Sequence, residues 1–318
     1  MTPFVDPHMR PLLEALRAAP SLDYARMPIA EARRAFESGA APWREGLPAV
    51  ATRDLAVPSP GGGMRARLFL PSRERLPLIV FVHGGGWSFG SVDTHENEMR
   101  RLAIAAQAAV LGIDYRLAPE HPFPAGLEDT RAAIAFARAG GLGSAIDARH
   151  IALAGDSAGA NLALSAMIEA RDRGEPSVAA GALFYGCYAP DFDTPSHAAF
   201  GGGAFGLSSD RMRWYWRNFL GSAGEDTRTL AAPLRADLAG LPPLHLVAAG
   251  LDPLLDDTLT LSRLLAYSGV PHRCDVVPGV VHGFLRMARE LPAAEDAIRA
   301  AGDVLSNRLK KQLEEETR

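Results

Sequence analysis

Six short apolar segments, set between stretches of helical pattern, most constrain what this chain can fold into. Leu78 to Val82, Ala109 to Ile113 and Ile151 to Ala154 are continuous apolar runs, and Ala180 to Tyr185, Leu244 to Ala248 and Arg273 to Val277 read as further strands. A run apolar on both faces suits a strand buried on both sides of a parallel sheet. Helices are expected at about 95–107, 128–139, 159–173, 209–220, 255–268 and 293–313; in the last, Ile298, Ala301, Leu305 and Leu309 recur near helical spacing. Strands alternating with helices predict an α/β fold, a mostly parallel central sheet with helices on both faces. Such sheets bind ligands beyond the carboxyl ends of their strands.

The N-terminal part has a different pattern. Met64, Ala66, Leu68 and Leu70 alternate with Arg65 and Arg67, the period of a half-buried antiparallel strand. Residues 9–38 read as two short helices broken near Pro20 and Pro28, the first with Leu12, Leu13 and Leu16 as its apolar stripe. The runs Gly61 to Gly63 and Gly201 to Gly203 are short enough to be turns or mobile loops.

Composition removes several classes of protein. The 318 residues are 47% hydrophobic and 22% charged, with a net charge of −4. That length buries a substantial core without disulfides or metals. Arginines are scattered, with no basic block for nucleic acid and no acidic tail. Cys187 and Cys274 lack metal-ligand or CxxC spacing and read as two buried thiols. The first residues carry no apolar signal core, and no run reaches the ~18 apolar residues of a membrane span. The reading is a soluble, cytoplasmic protein without stable membrane association.

The strand ending at Ala154 runs into Gly155-Asp156-Ser157-Ala158-Gly159 and then a helix start. This is the strand–turn–helix context of an exposed nucleophilic serine. The turn is so tight that side chains two before and two after the serine would clash, hence the glycines. It holds the Ser157 hydroxyl clear of the backbone and aims the Ala158 N–H and the helix N-terminus at one point.

Leu78 to Val82 leads directly into His83-Gly84-Gly85-Gly86-Trp87. Consecutive glycines let backbone N–H groups turn inward toward an oxyanion, each contributing roughly 3 kcal/mol. A phosphate loop would need Lys-Ser/Thr after the glycines, and none follows. Gly85 is the first expected donor, with Gly84 or Gly86 beside it and Ala158 opposite.

A serine needs a base, and the base an orienting carboxylate. Asp252 and His282 each lie just past an expected strand, in the chain order Ser, Asp, His. Among the other histidines, His8, His121, His150, His197 and His272 read as surface or turn residues, and His245 as packed within a strand. His95 is a lesser candidate for lining the site, and His83 is expected to hold the glycine loop by a hydrogen bond. Asp256 and Asp257 read as capping or charging the next helix.

Four segments, HGGGW at 83–87, YRLAPEHPFPA at 115–125, GDSAG at 155–159 and HGF at 282–284, resemble the bacterial hormone-sensitive-lipase-like carboxylesterases. The resemblance runs from about Leu78 to Phe284 and more loosely to both termini. It implies an α/β-hydrolase fold with a helical cap, built from residues 1–45 and an insertion at about 190–225 in a catalytic domain spanning 46–318. It also implies Ser157 as nucleophile, Asp252 as orienting acid, His282 as base, short- to medium-chain esters as substrates and no cofactor. Related enzymes often form homodimers, and no stretch here marks an interface. YRLAPEHPFPA has no derivable catalytic role; Tyr115-Arg116 and three prolines suggest a rigid, buried support. The chain departs from the family where Leu255 replaces the usual Arg and where Gly186 follows Tyr185 in place of Pro.

The leading reading is a serine hydrolase of carboxylic esters, with activity that falls as His282 becomes protonated. An amidase, lactonase or deacetylase would use the same groups. A non-catalytic small-molecule receptor is the reading from another class, and its binding would show no acyl-enzyme burst. Two further expectations concern the cap. GGGAFG at 201–206 is composed to gate access. The aromatic group Trp214, Tyr215, Trp216 and Phe219 reads as packing of a cap helix, ahead of a lipid-facing surface.

Overall fold

Leu76–Val82 (β3), Ala109–Ile113 (β4), Ile146–Asp156 (β5), Gly181–Phe184 (β6), Leu244–Leu251 (β7) and His272–Val281 (β8) run parallel to one another. Ala51–Ser59 (β1) and Gly62–Leu70 (β2) form an antiparallel hairpin, and β2 pairs antiparallel with β4. The computed structural model describes residues 3–19, 22–221 and 229–316. Its eight strands lie in the order β1-β2-β4-β3-β5-β6-β7-β8.

Apolar content sets each strand's place. Six of the seven residues of β3 are buried, as a strand between two parallel neighbours requires. By contrast β1 buries only Val57, and this edge strand was not anticipated. A strand with one buried residue leaves no apolar periodicity to read. Charges hold it instead: Arg67 on β2 donates to both oxygens of Asp54.

Helices Glu96–Ala106 (α3), Ala125–Arg138 (α4), Ala158–Asp172 (α5), Leu255–Tyr267 (α8) and Pro292–Glu316 (α9) pack on the sheet or on one another. α5 follows the Ser157 turn and is buried from Ala158 to Ile168. Burying leucines such as Leu162 and Leu164 contributes about 2 kcal/mol each, so the turn is anchored at its helical end. Two apolar clusters result, one on each face of the sheet. Among the described residues no helix is long and apolar enough to cross a membrane.

The remaining helices gather near the carboxyl ends of the parallel strands: Met9–Ala18 (α1), Ile29–Ala40 (α2), the short Pro195–Phe200 (α6) and Ser209–Leu220 (α7). α1 and α2 match the two N-terminal helices read from the sequence; Pro20, where a break was expected, lies outside the described residues, as do residues 222–225 of the expected insertion. Ser208 caps α7 through the Arg211 N–H.

Some boundaries moved. β5 begins at Ile146, earlier than its apolar run, because Ile146 and Asp147 pair with Leu76 and Pro77 of β3 ahead of an irregularity in the register. β8 continues through Pro278 to Val281, and α4 starts at Ala125. Cys187 is buried and Cys274 only half-buried; both are free.

Candidate active site

Register brings the chemistry together. Val82 pairs with Gly155, so the loop after β3 meets the turn after β5. Leu251 pairs with Val281, so the next residues, Asp252 and His282, stand side by side.

At the turn, Ser157 has φ +53 and ψ −119, a conformation a non-glycine residue holds only under constraint. Its N–H donates to the Phe184 carbonyl at 2.8 Å. A Cβ on Gly155 would lie 2.6 Å from the Gly159 backbone, and one on Gly159 would overlap the Val82 carbonyl. The expected contact across the turn is therefore present and excludes a side chain at Gly155, while Gly159 is required by the close approach of the end of β3.

His282 Nε2 lies 2.9 Å from Ser157 Oγ, and its Nδ1 lies 2.7 Å from Asp252 Oδ2. A carboxylate accepts, so Nδ1 carries the hydrogen and Nε2 is left to accept the serine proton. Asp252 is fully buried, and its other oxygen accepts the Leu254 N–H at 2.9 Å. Tyr185 stands edge-on to the imidazole with ring centroids 5.0 Å apart. Such a chain can move a proton from hydroxyl to imidazole while the carboxylate holds the ring.

The glycine loop is narrower in its options than its sequence. Gly84 donates its N–H to Asp156 Oδ1 at 2.7 Å, so this amide is engaged and drops out as an oxyanion donor. Gly85 and Gly86 line the cavity in front of Ser157. Ala158 opens α5 just behind it. Side chains are excluded at both loop positions: a Cβ on Gly85 would overlap the Phe89 carbonyl, and one on Gly86 the Tyr215 ring.

Asp156 was passed over in the sequence because it looks like spacing within GDSAG. It ties the serine turn to the glycine loop, and His95 Nε2 stands 3.6 Å from it as an ion pair. The two shift consistently. Burial raises Asp156, but His95, the Arg286 charge and the Gly84 N–H together outweigh it and the carboxyl is held below its usual range. Burial lowers His95, but Asp156 and Glu98 together outweigh it and the imidazole is raised. His95 thus lies behind the site, not on its wall. His83 is buried with Nδ1 2.8 Å from the Gly84 carbonyl, as expected of a loop holder. Burial, then the His95 charge, push it down to about 3.

Other expectations resolve individually. His245 is fully buried and bonded to Asp275. His197, expected at the surface, is buried in α6 and bonded to Ser209, because α7 covers it. Asp256 and Asp257 lie in the first turn of α8 as expected but do not cap it: Asp256 accepts the Ser196 N–H at 2.7 Å and Asp257 lies 3.4 Å from the Tyr188 N–H, so they join other segments to the helix. Burial raises Asp257 well above the usual carboxylate range. The 115–125 segment is a support, but only half-buried: Tyr115 donates to the His83 carbonyl and Ala118 to the Trp87 carbonyl, while Pro119, Glu120 and His121 are exposed. Gly186 has its own reason, since any side chain there would overlap the Tyr188 ring.

Over Ser157 lies a cavity of about 260 Å³. Its roof comes from Leu16 of α1, Phe36 of α2, Phe205 and Leu207, and Met212 and Tyr215 of α7. Trp216 and Phe219 of α7 are buried, Phe219 stacked on Trp87 at 4.0 Å, so this aromatic group packs inward. The 201–206 segment is tied to α1, whose Arg17 donates to the Ala204 carbonyl.

A mostly parallel eight-stranded sheet, covered on both faces and carrying a strained serine turn after its fifth strand, is the architecture of an α/β hydrolase. The profile of a family described as alpha/beta hydrolase fold matches residues 79–286, and the chain belongs to that family, on its hormone-sensitive-lipase-like branch. Carboxylesterase NlhH of Mycobacterium tuberculosis is 39% identical over 231 residues, covering 71% of this chain and 72% of that protein. Esterase LipI of the same organism is 34% identical over 318 residues, covering 93% and 92%. A hyperthermophilic esterase from the archaeon Pyrobaculum calidifontis superposes with a TM-score of 0.90 at 35% identity, covering 95% of this chain and 98% of that one.

Proposed function

We propose that the protein is a serine carboxylesterase in which Ser157 attacks the ester carbonyl, His282 takes its proton and Asp252 holds the imidazole. The continuous contact from Ser157 Oγ through His282 to buried Asp252, at 2.9 and 2.7 Å on the cavity floor, carries this reading. The amides of Gly85, Gly86 and Ala158 receive the oxyanion. His282 then protonates the leaving alcohol, and water, with the same histidine as base, releases the acid from the acyl-enzyme. No step calls for a metal or cofactor.

The N-terminal 45 residues and the segment at about 190–225 act as the cap that shapes the cavity, with 201–206 as its gate. A 260 Å³ space fits short to medium acyl chains. The substrate is a small molecule taken from water, and the compartment we assign is the cytoplasm.

Ser157→Ala is the test. Hydrolysis of p-nitrophenyl acetate to octanoate should fall by about 10⁵-fold or more while the circular dichroism spectrum is unchanged. Undiminished turnover would remove Ser157 from the mechanism. An amide and a lactone in the same panel separate an esterase from an amidase or a lactonase.

A further inference from the structure

The mostly apolar cavity wall holds a guanidinium that, among the described residues, has no hydrogen-bonding or ion-pair partner. Arg286 lines the cavity from the 3₁₀ turn Phe284–Met287, directly after His282 and Gly283. Its backbone carbonyl accepts from Asn97 Nδ2 at 3.0 Å. Among the described residues, its guanidinium makes no hydrogen bond and no ion pair. The group folds back over the residue after His282: a Cβ at Gly283 would lie 3.4 Å from Nη2 and 3.5 Å from Nε. It lies over the Phe36 ring at 5.8 Å, and the other cavity arginine differs in its hydrogen bond: Arg211 lies over the Tyr24 ring at 5.0 Å and also donates to the Leu22 carbonyl.

Neighbouring acids feel this charge but make no direct pair with it: it helps to hold the Asp156 carboxyl down and opposes the rise that burial imposes on Glu98. Asp156 is already met by the Gly84 N–H and by His95. Glu98 is buried, which raises its carboxyl and favours the neutral form. Guanidinium groups hold carboxylates through paired, charge-assisted hydrogen bonds, and more strongly where apolar walls exclude water. The net charge of −4 gives no general attraction for anions, so any anion preference must come from a local group.

We propose that Arg286 is a specificity-determining residue, and that the preferred substrate is a small ester carrying a second, anionic group, a carboxylate on its acid or its alcohol half. This rests on the serine esterase reading. The carboxylate pairs with Arg286 while the ester carbonyl meets Ser157.

Four esters decide it. Monoethyl glutarate places the carboxylate on the acid half, with ethyl pentanoate as its uncharged counterpart. 3-Acetoxypropanoate places it on the alcohol half, with propyl acetate as counterpart. At low ionic strength, kcat/KM should favour at least one anionic ester over its counterpart by about tenfold or more. Arg286→Met should collapse that ratio, chiefly through KM, and Arg286→Lys should restore part of it. Preference for the neutral ester in both pairs overturns the proposal. So does a ratio unchanged in Arg286→Met with all rates lowered alike, the behaviour of a mere counter-charge to Asp156 and Glu98. Loss of all four activities in Ser157→Ala keeps the esterase reading standing in either case.

Discussion

The floor and the roof of the cavity are built in opposite ways. The floor is made of residues that follow strand ends directly: Gly85 and Gly86 after β3, Ser157 after β5, His282 after β8. Sheet register places them, and each position has a backbone reason, such as the Gly155–Gly159 contact or the overlap of any Gly86 side chain with Tyr215. The roof is made of side chains from α1, α2, the 205–207 segment and α7. Those pieces are joined by apolar packing and a few tethers, among them Arg33 of α2, which donates to the Ser88 and Ala118 carbonyls. Floor positions are dictated by hydrogen bonds and sterics, so they tolerate little. Roof positions are dictated by volume, which several residue types can fill.

That contrast can be broken by substitution. The larger effect belongs to the floor. Asp156→Asn keeps the shape but removes the charge that pairs with His95 and tethers the Gly84 N–H. We expect kcat to fall by about 10- to 100-fold with little change in KM, since the loop would hold its amides less firmly. Steady-state kinetics check this, and a change in KM alone would mean that the tether does not position the loop. The roof responds more mildly. Tyr215→Leu opens space above Gly86, so KM for acetate should rise several-fold, longer acyl chains should be favoured, and kcat should change by less than about threefold. An acyl-chain series reads the shift, and a loss of kcat equal to that of Asp156→Asn would erase the distinction between the regions.

The smallest effects lie beneath the floor and appear as stability. His83 and His95 stack with centroids 5.3 Å apart yet shift in opposite directions. His83 stays neutral to about 3, against an ordinary 6.5, so the unfolded chain takes up its proton first. Its contribution is present above pH 6.5 and is lost as pH falls from there toward 3. His95 is raised, so its contribution is complete below 6.5 and is lost as pH rises through its folded value. Urea midpoints against pH should show His83→Asn flattening the acid limb and His95→Asn the alkaline one. An acid limb parallel to wild type in His83→Asn would contradict the shift.

Legibility followed the same division. β3, β4 and the end of β5 could be read because short continuous apolar runs suit a strand covered on both faces. β1 could not, since an edge strand with a single buried residue is stabilised by Arg67 and Asp54 and leaves no apolar pattern. His197 was misplaced for a related reason: its burial depends on α7, and nothing local to it records that cover. Ser157, Asp252 and His282 were legible because each follows a readable strand in a fixed chain order.

By itself, then, the sequence determined the parallel strands of the sheet, the serine turn and the three residues that meet there, since all of these depend on local periodicity and on glycines with steric reasons. Only the tertiary structure decided which amide of the glycine loop is taken by Asp156, which helices close the cavity, and that Arg286 faces it without an ion-pair partner among the described residues. Those outcomes depend on distances between segments remote in the chain, and a hydrogen bond or an unpaired charge is a property of such a distance, not of a residue's neighbours in sequence.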